Sequence, residues 1–140
     1  MRIQFFFLQK NISIGHRATL KKFIIDIFKR ERKKLESLSY IFCSDDYLLE
    51  INKSHLKHNF YTDIITFDLS ETPDRITGEI YISIDRVRDN AANLDVTINE
   101  ELHRVIFHGV LHLCGYKDKK PRDAKKMRTA ENECLSAYFK

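Results

Sequence analysis

Two histidines four residues apart are the side chains whose spacing most directly indicates chemistry in this sequence. If His108 and His112 lie on a helix, they project from one face, one turn apart, and one cation can contact both rings. Gly115 follows and suits the left-handed conformation that commonly ends a helix, so the chain can turn and bring Asp118 to the same cation. Two imidazole nitrogens and one carboxylate oxygen leave a coordination position for water, which is typical of catalytic metal sites.

The histidine pair also has a simpler interpretation, because pairs at this spacing occur by chance and as hydrogen-bonded core residues. The glycine and the acid that follow favour metal binding over that alternative. A zinc protease of the His-Glu-x-x-His type is disfavoured, because Gly109 takes the position of its catalytic glutamate. Cys114 should face away from the histidines, and we interpret it as a small core residue rather than a ligand or a redox centre.

Length and composition are those of one compact domain. The 140 residues are 43% hydrophobic and 31% charged, and the net charge of +4 permits a polyanionic partner without demonstrating one. Three cysteines without a Cys-x-x-Cys pair predict a reducing compartment. The N-terminal apolar run is too short for a signal sequence, and no segment approaches the length of a membrane span. We therefore expect a single cytoplasmic domain over residues 1–140, without membrane association.

Strands and helices alternate along the chain before the helices gather at the C-terminus. The predicted strands cover about 2–8, 38–43, 63–69 and 79–84. Two predicted helices cover about 16–34 and 98–114, and three further helices start near residues 45, 84 and 121. Thr97 and Glu100 form a capping box that opens the helix with the histidines. That helix is apolar on most sides and should be central and buried. The pattern predicts an α/β or α+β domain, with a small four-stranded mixed sheet covered by about five helices.

The histidine segment resembles the YbeY family, the bacterial endoribonucleases of ribosomal RNA maturation. That family carries His-Gly-x-Leu-His-Leu-x-Gly-Tyr-Asp-His, and residues 108–118 are His-Gly-Val-Leu-His-Leu-Cys-Gly-Tyr-Lys-Asp. The other matching positions are Asn52, the strand segments Thr62–Phe67 and Gly78–Ser83, the pair Asp123-Ala124, Met127 and Glu131. The resemblance therefore extends across nearly the whole chain and keeps the order of the motifs.

The resemblance implies a metal-dependent endoribonuclease that cleaves single-stranded RNA in ribosomal RNA processing and ribosome biogenesis, including maturation of the small-subunit 3′ end. It implies one divalent ion, with zinc as the expected metal, held by His108, His112 and Asp118. Ribosomal RNA, and with it the ribosome or ribosomal proteins, are the implied partners. The family usually has a histidine where this sequence has Asp118, which is a competent zinc ligand but a harder and more negative one.

Arg104 is one candidate for contact with RNA. It lies one turn before His108 on the same helical face, where it could meet a phosphate. The alternative is an ion pair with Glu100 or Glu101. No residue identifies itself as the general base, so the sequence leaves that role unassigned.

A second candidate lies in the predicted loop before the third strand. The arginine that the family uses for handling RNA aligns with Leu56, and the adjacent Lys57 could supply the charge instead. His55 and His58 in the same loop are either exposed loop residues or RNA contacts, and no aromatic stacking motif is evident. The apolar residue at the arginine position keeps a second class of function open, a non-catalytic, metal-stabilised RNA-binding factor associated with the ribosome.

Overall fold

Four strands and five helices make up the computed structural model, which describes residues 2–10 and 12–140. The strands are β1 (Ile3–Phe7), β2 (Lys34–Cys43), β3 (Ile64–Asp68) and β4 (Arg75–Ser83). The helices are α1 (Arg17–Arg30), α2 (Asp45–Leu56), α3 (Ile84–Leu94), α4 (Ile98–Leu113) and α5 (Pro121–Tyr138). This confirms the predicted α+β class, with four strands and five helices. In the described chain no helix is long and apolar enough to cross a membrane.

The sheet is mixed, with the strand order β1-β2-β4-β3. Strand β1 pairs in parallel with β2, and β2 pairs in parallel with β4, so the intervening segments must cross over the sheet. Strand β3 is antiparallel to β4 and forms one edge, with Ile64 opposite Ile82. The antiparallel strand places the segment before residue 64 next to the helices that follow the sheet.

Helix α4 lies in the centre of the molecule, as its apolar sequence predicts. It packs against β3 and β4 on one side and against α1, α3 and α5 on others. Gly109 allows this close approach to the sheet, because a Cβ atom there would lie 2.6 Å from Cδ1 of Ile80. Gly109, which takes the position of the catalytic glutamate of a zinc protease, therefore has a packing role.

Side-chain caps mark the starts of three helices, including the cap predicted at Thr97. The side-chain oxygens of Ser44, Ser83 and Thr97 each accept a backbone N–H from the residue three positions later. These hydrogen bonds fix where α2, α3 and α4 begin.

Four local predictions were wrong, and the first two are the starts of β2 at Lys34 rather than about 38 and of β4 at Arg75 rather than about 79. Helix α1 ends at Arg30 rather than near Lys34, because Arg32 adopts a left-handed conformation with φ 61° and Lys34 already pairs with β4. His55 lies in the last turn of α2 rather than in the following loop. In both places the actual end of the helix depends on the backbone of the next element, which the local pattern does not contain.

Candidate metal centre

The three predicted metal ligands converge at the C-terminal end of α4. The chain leaves the helix through Gly115, whose φ of 104° is the left-handed conformation expected there. The turn brings Oδ2 of Asp118 to 3.3 Å from Nε2 of His108 and to 3.2 Å from Nε2 of His112. The three candidate ligand atoms lie within 4.8 Å of one another, close enough to share a single ion.

The hydrogen bonds of the other ring nitrogens decide which nitrogens face the site. Nδ1 of His112 lies 2.9 Å from the backbone carbonyl oxygen of Tyr116. A carbonyl oxygen only accepts, so this Nδ1 carries a proton, and Nε2 is the nitrogen whose lone pair would bind a metal. Nδ1 of His108 lies 2.6 Å from Oε2 of Glu131, and the same argument applies if that carboxylate is ionised. Such outer partners orient the histidine ligands of metal sites.

The resulting donor set fits a metal ion. Two imidazole Nε2 atoms and one carboxylate oxygen converge across little more than 3 Å, and either a cation or a proton on a ring would neutralise the carboxylate there. Two nitrogens and one oxygen also form a ligand set that zinc accepts, with a fourth position left for water. Cys114 is not part of this set, because it packs against the hydrophobic core, and burial raises the pKa of its thiol to about 12.

Glu131 links the metal centre to Arg104. Oε1 of its buried carboxylate accepts a hydrogen bond from Nη1 of Arg104 at 3.0 Å, and Oε2 is the atom that contacts Nδ1 of His108. Burial raises the pKa of Glu131, but its bond to His108, the charge of that ring and Arg104 outweigh burial and leave the pKa lowered. Glu131 is therefore ionised, and His108 donates to it.

Arg104 accordingly makes an ion pair, but with a different partner from those predicted. The sequence offered Glu100 and Glu101 on the same helix, whereas the observed partner, Glu131, comes from α5. Arg104 also lines the cavity above the metal centre, so its remaining N–H groups stay within reach of a bound phosphate.

The metal centre opens into a cavity of about 710 Å³, within the size range of ligand sites. All three candidate ligands line it, together with two exposed cations, Lys119 and Arg128. The second predicted RNA contact, Lys57, is exposed at the end of α2, and in the described chain the cavity is lined by its neighbours Leu56 and His58 instead.

Two acids of the same cavity, the buried Glu101 and the half-buried Asp63, escaped the sequence interpretation. Asp63 precedes β3 and Glu101 lies in the first turns of α4, and burial raises the pKa of both carboxyls. Oε1 of Glu101 has no hydrogen-bond partner within the described chain. Glu101 looks like an ordinary acid near a helix N-terminus, so only its burial beside the cavity distinguishes it. Asp63 had a signal, since it belongs to the strand segment that the resemblance matched.

Fold and site together define a class: an α+β protein whose central helix ends in a His-x-x-x-His pair completed by a carboxylate. The family model of endoribonuclease YbeY matches residues 4–139, and the chain belongs to that family. A Cytophaga hutchinsonii protein named endoribonuclease YbeY is 48% identical, with 96% of this chain and 94% of the relative aligned. A Flavobacterium psychrophilum protein of the same name is 45% identical over 91% of each chain.

A solved structure supports the fold. The chain is similar to a Thermotoga maritima protein determined in solution, with a TM-score of 0.69 and 28% sequence identity. The alignment covers 98% of this chain and 89% of the other. The family resemblance drawn from the histidine segment is confirmed by the family model and by the two relatives.

Proposed function

We propose that this chain is a metal-dependent endoribonuclease that cleaves single-stranded RNA. The observation that carries the proposal is the pair of imidazole Nε2 atoms facing Oδ2 of Asp118 within a cavity that cations also line. Membership in the endoribonuclease YbeY family supplies the substrate class. Both lines of support concern the same residues, since the histidine segment carries the family resemblance and forms the site.

His108, His112 and Asp118 would hold the ion. When bound, a divalent metal lowers the pKa of a water ligand and polarises a phosphoryl oxygen, which is the chemistry that hydrolysis of a phosphodiester needs. Glu131 and the carbonyl of Tyr116 keep the Nε2 lone pairs directed at the site throughout.

The substrate backbone would be met by cations of the cavity. Lys119 and Arg128 are exposed, and Arg104 is held in place by Glu131 while keeping further N–H groups. Phosphate contacts of this kind position a nucleic acid without reading its sequence. The selection of a cleavage position must therefore come from other residues or from the shape of the RNA.

We further propose zinc as the metal and ribosomal RNA as the substrate, in processing that includes the small-subunit 3′ end. Zinc is supported by the two imidazoles and the single carboxylate, although the carboxylate makes the set more suitable for harder divalent ions than three histidines would be. A cytoplasmic site of action agrees with this substrate and with three free cysteines.

The test is cleavage of a single-stranded RNA by zinc-loaded protein beside its His112→Ala variant. His55→Ala is the matched control, because that histidine is exposed on α2 and does not line the cavity within the described chain. We expect cleavage by the parent and by the control, and loss of cleavage in His112→Ala. Equal cleavage by all three would indicate a contaminating nuclease and overturn the proposal.

A second candidate function is a non-catalytic RNA-binding factor associated with the ribosome. The specific observation in its favour is Leu56, an apolar residue that lines the cavity where the family resemblance places an arginine. A protein that binds zinc and RNA but leaves the RNA intact in the same experiment would favour this alternative.

A further inference from the structure

Two aromatic rings form part of the wall of the cavity that contains the candidate metal ligands. The rings of His58 and Phe60 stack with a centroid distance of 5.1 Å and an interplanar angle of 19°. Both residues line the cavity that contains the candidate metal ligands. The side chain of His58 is exposed, and Phe60 is 57% exposed, so the stack has ring surface open to solvent.

One buried residue, Asn52, hydrogen-bonds to the backbone of both stacked residues. Asn52 is only 2% exposed, and its backbone oxygen accepts the N–H of His58 at 3.0 Å. Its side-chain Nδ2 donates to the carbonyl oxygen of Phe60 at 2.8 Å. The same residue thus holds the backbone of both stacked residues, so the positions of the two Cα atoms that carry the rings are set within the folded chain.

Such a surface has a defined chemical preference. Exposed, nearly parallel rings offer a flat face on which another planar ring can continue the stack. Nucleobases stack on aromatic side chains in this way, and the gain does not depend on which base is present. The cations in the same cavity supply the complementary contacts to phosphate.

We propose that His58 and Phe60 form a stacking platform for one base of the single-stranded RNA whose backbone lies at the metal centre. This inference rests on the proposed function, since it specifies how the same site takes its substrate. The platform also gives a physical reason for single-strand selectivity, because the faces of a base within a duplex are covered by its neighbours.

The sequence alone did not reveal the platform, because no aromatic repeat marks it. The rings are separated by Asn59, and their approach depends on the hydrogen bonds of Asn52. The platform lies beside Leu56, where the family resemblance places an arginine. A stacked base would therefore provide binding energy at a position where this chain lacks that charge.

The test uses the absence of tryptophan from the sequence. A Phe60→Trp variant contains a single fluorescent indole at the platform, and a stacked base quenches it. Phe6→Trp is the matched control, because Phe6 is similarly exposed but lies on β1, at the opposite edge of the sheet from β3. Zinc-loaded protein is titrated with a short single-stranded RNA, the same RNA as a duplex, and an abasic strand of equal length, with RNA integrity checked by gel.

Three results are expected from these titrations. The single strand quenches Phe60→Trp but not Phe6→Trp, while the duplex and the abasic strand quench neither. A Phe60→Leu variant, which keeps apolar bulk without a ring, binds the single strand roughly 5- to 150-fold more weakly than the parent. The same variant binds the abasic strand as the parent does and keeps the parent's zinc content and melting temperature.

Absence of quenching in Phe60→Trp, or unchanged affinity of Phe60→Leu for the base-bearing strand, would overturn the platform. Equal weakening for the abasic strand would also overturn it, since the loss would then not involve a base. Quenching with RNA left intact by the parent would sustain the platform while contradicting the proposed nuclease function, so the two failures are distinguishable.

Discussion

The two ends of helix α4 place histidines in opposite environments. Near the N-terminal end, His103 is buried beside two aromatic rings. Its ring centroid lies 5.2 Å from that of Tyr138 and 5.0 Å from that of Phe139. Its Nδ1 lies 2.7 Å from the backbone oxygen of Asn99, which can only accept a hydrogen bond. Near the C-terminal end, His108 and His112 face a carboxylate across an open cavity.

The two environments drive the proton equilibria in opposite directions. Burial lowers the pKa of His103, and the bond to Asn99 offsets only part of that effect. Burial also lowers the pKa of His108, but Glu131 and the acids around the cavity outweigh it and leave the pKa raised. The comparison shows that the elements packed against α4, rather than α4 itself, decide whether a histidine becomes part of the core or a candidate metal ligand.

Paired alanine substitutions should separate the two ends most strongly. We expect His108→Ala to weaken zinc binding by more than about 100-fold, because it removes a ligand outright. We expect His103→Ala to leave zinc affinity unchanged and to lower the free energy of unfolding by about 2 kcal/mol, because it empties space within the aromatic cluster. Competition with a chromogenic chelator and chemical denaturation measure the two effects. Comparable zinc loss in both variants would break the comparison.

Removing the negative charge of Glu131, which contacts Nδ1 of His108, sharpens the comparison at the C-terminal end of α4. We expect Glu131→Gln to weaken zinc binding by about 10- to 100-fold, because the neutral amide orients and polarises His108 less well. Glu133→Gln is the control, since Glu133 is exposed on the same helix and is not a partner of the ligands in the described contacts. Unchanged affinity in Glu131→Gln would mean that Glu131 acts only as a partner for Arg104.

Both ends of α4 depend on how closely the helix approaches the sheet. We expect Gly109→Ala to destabilise the protein by about 1–3 kcal/mol, because the added Cβ would lie 2.6 Å from Cδ1 of Ile80. Gly15→Ala is the control, since an added Cβ there would meet nothing within 4 Å. Thermal and denaturant unfolding measure the difference. A stable Gly109→Ala protein with normal zinc affinity would show that the sheet can yield to the helix.

The smallest expected effect concerns the pH dependence of stability. The pKa of His103 is lower in the folded state than its ordinary value of 6.5, so the folded protein disfavours the proton that the unfolded chain takes up. The contribution of His103 to the free energy of unfolding is therefore fully present above about pH 6.5, and it is lost as the pH falls through the folded-state pKa. We expect a His103→Phe variant to lose less unfolding free energy than the parent between about pH 7 and pH 5. Parallel curves for the two proteins would rule out a lowered pKa at His103.

The larger features of the fold and the convergence of the three candidate ligands were predictable because they depend on local patterns. Helical periodicity placed α4, and the spacing of four residues put both imidazoles on one face of it. The left-handed turn at Gly115 brought Asp118 back within the next few residues. Each step involves neighbours along the chain, so covalent geometry limits the possible outcomes.

The partners from distant segments were not predictable in the same way. Arg104 has two acidic neighbours on its own helix, yet it pairs with Glu131 from α5. The stack of His58 and Phe60 depends on hydrogen bonds to Asn52 in the preceding helix. Choices among competing partners depend on how helices pack, and no single local pattern contains that information.

By itself, the sequence determined the fold class, the family and the three candidate ligands, since a helix puts the two histidines on one face and the turn at Gly115 brings Asp118 back to them. The tertiary structure alone decided which ring nitrogens face the ion, which carboxylate orients them and what else lines the cavity. The physical reason is that ligand spacing is set by the helical rise and a single turn, whereas the proton positions on the histidines are set by acceptors that reach them from outside the helix. The lone pairs point at Asp118 because Glu131 and the carbonyl of Tyr116 accept hydrogen bonds from the opposite sides of the rings.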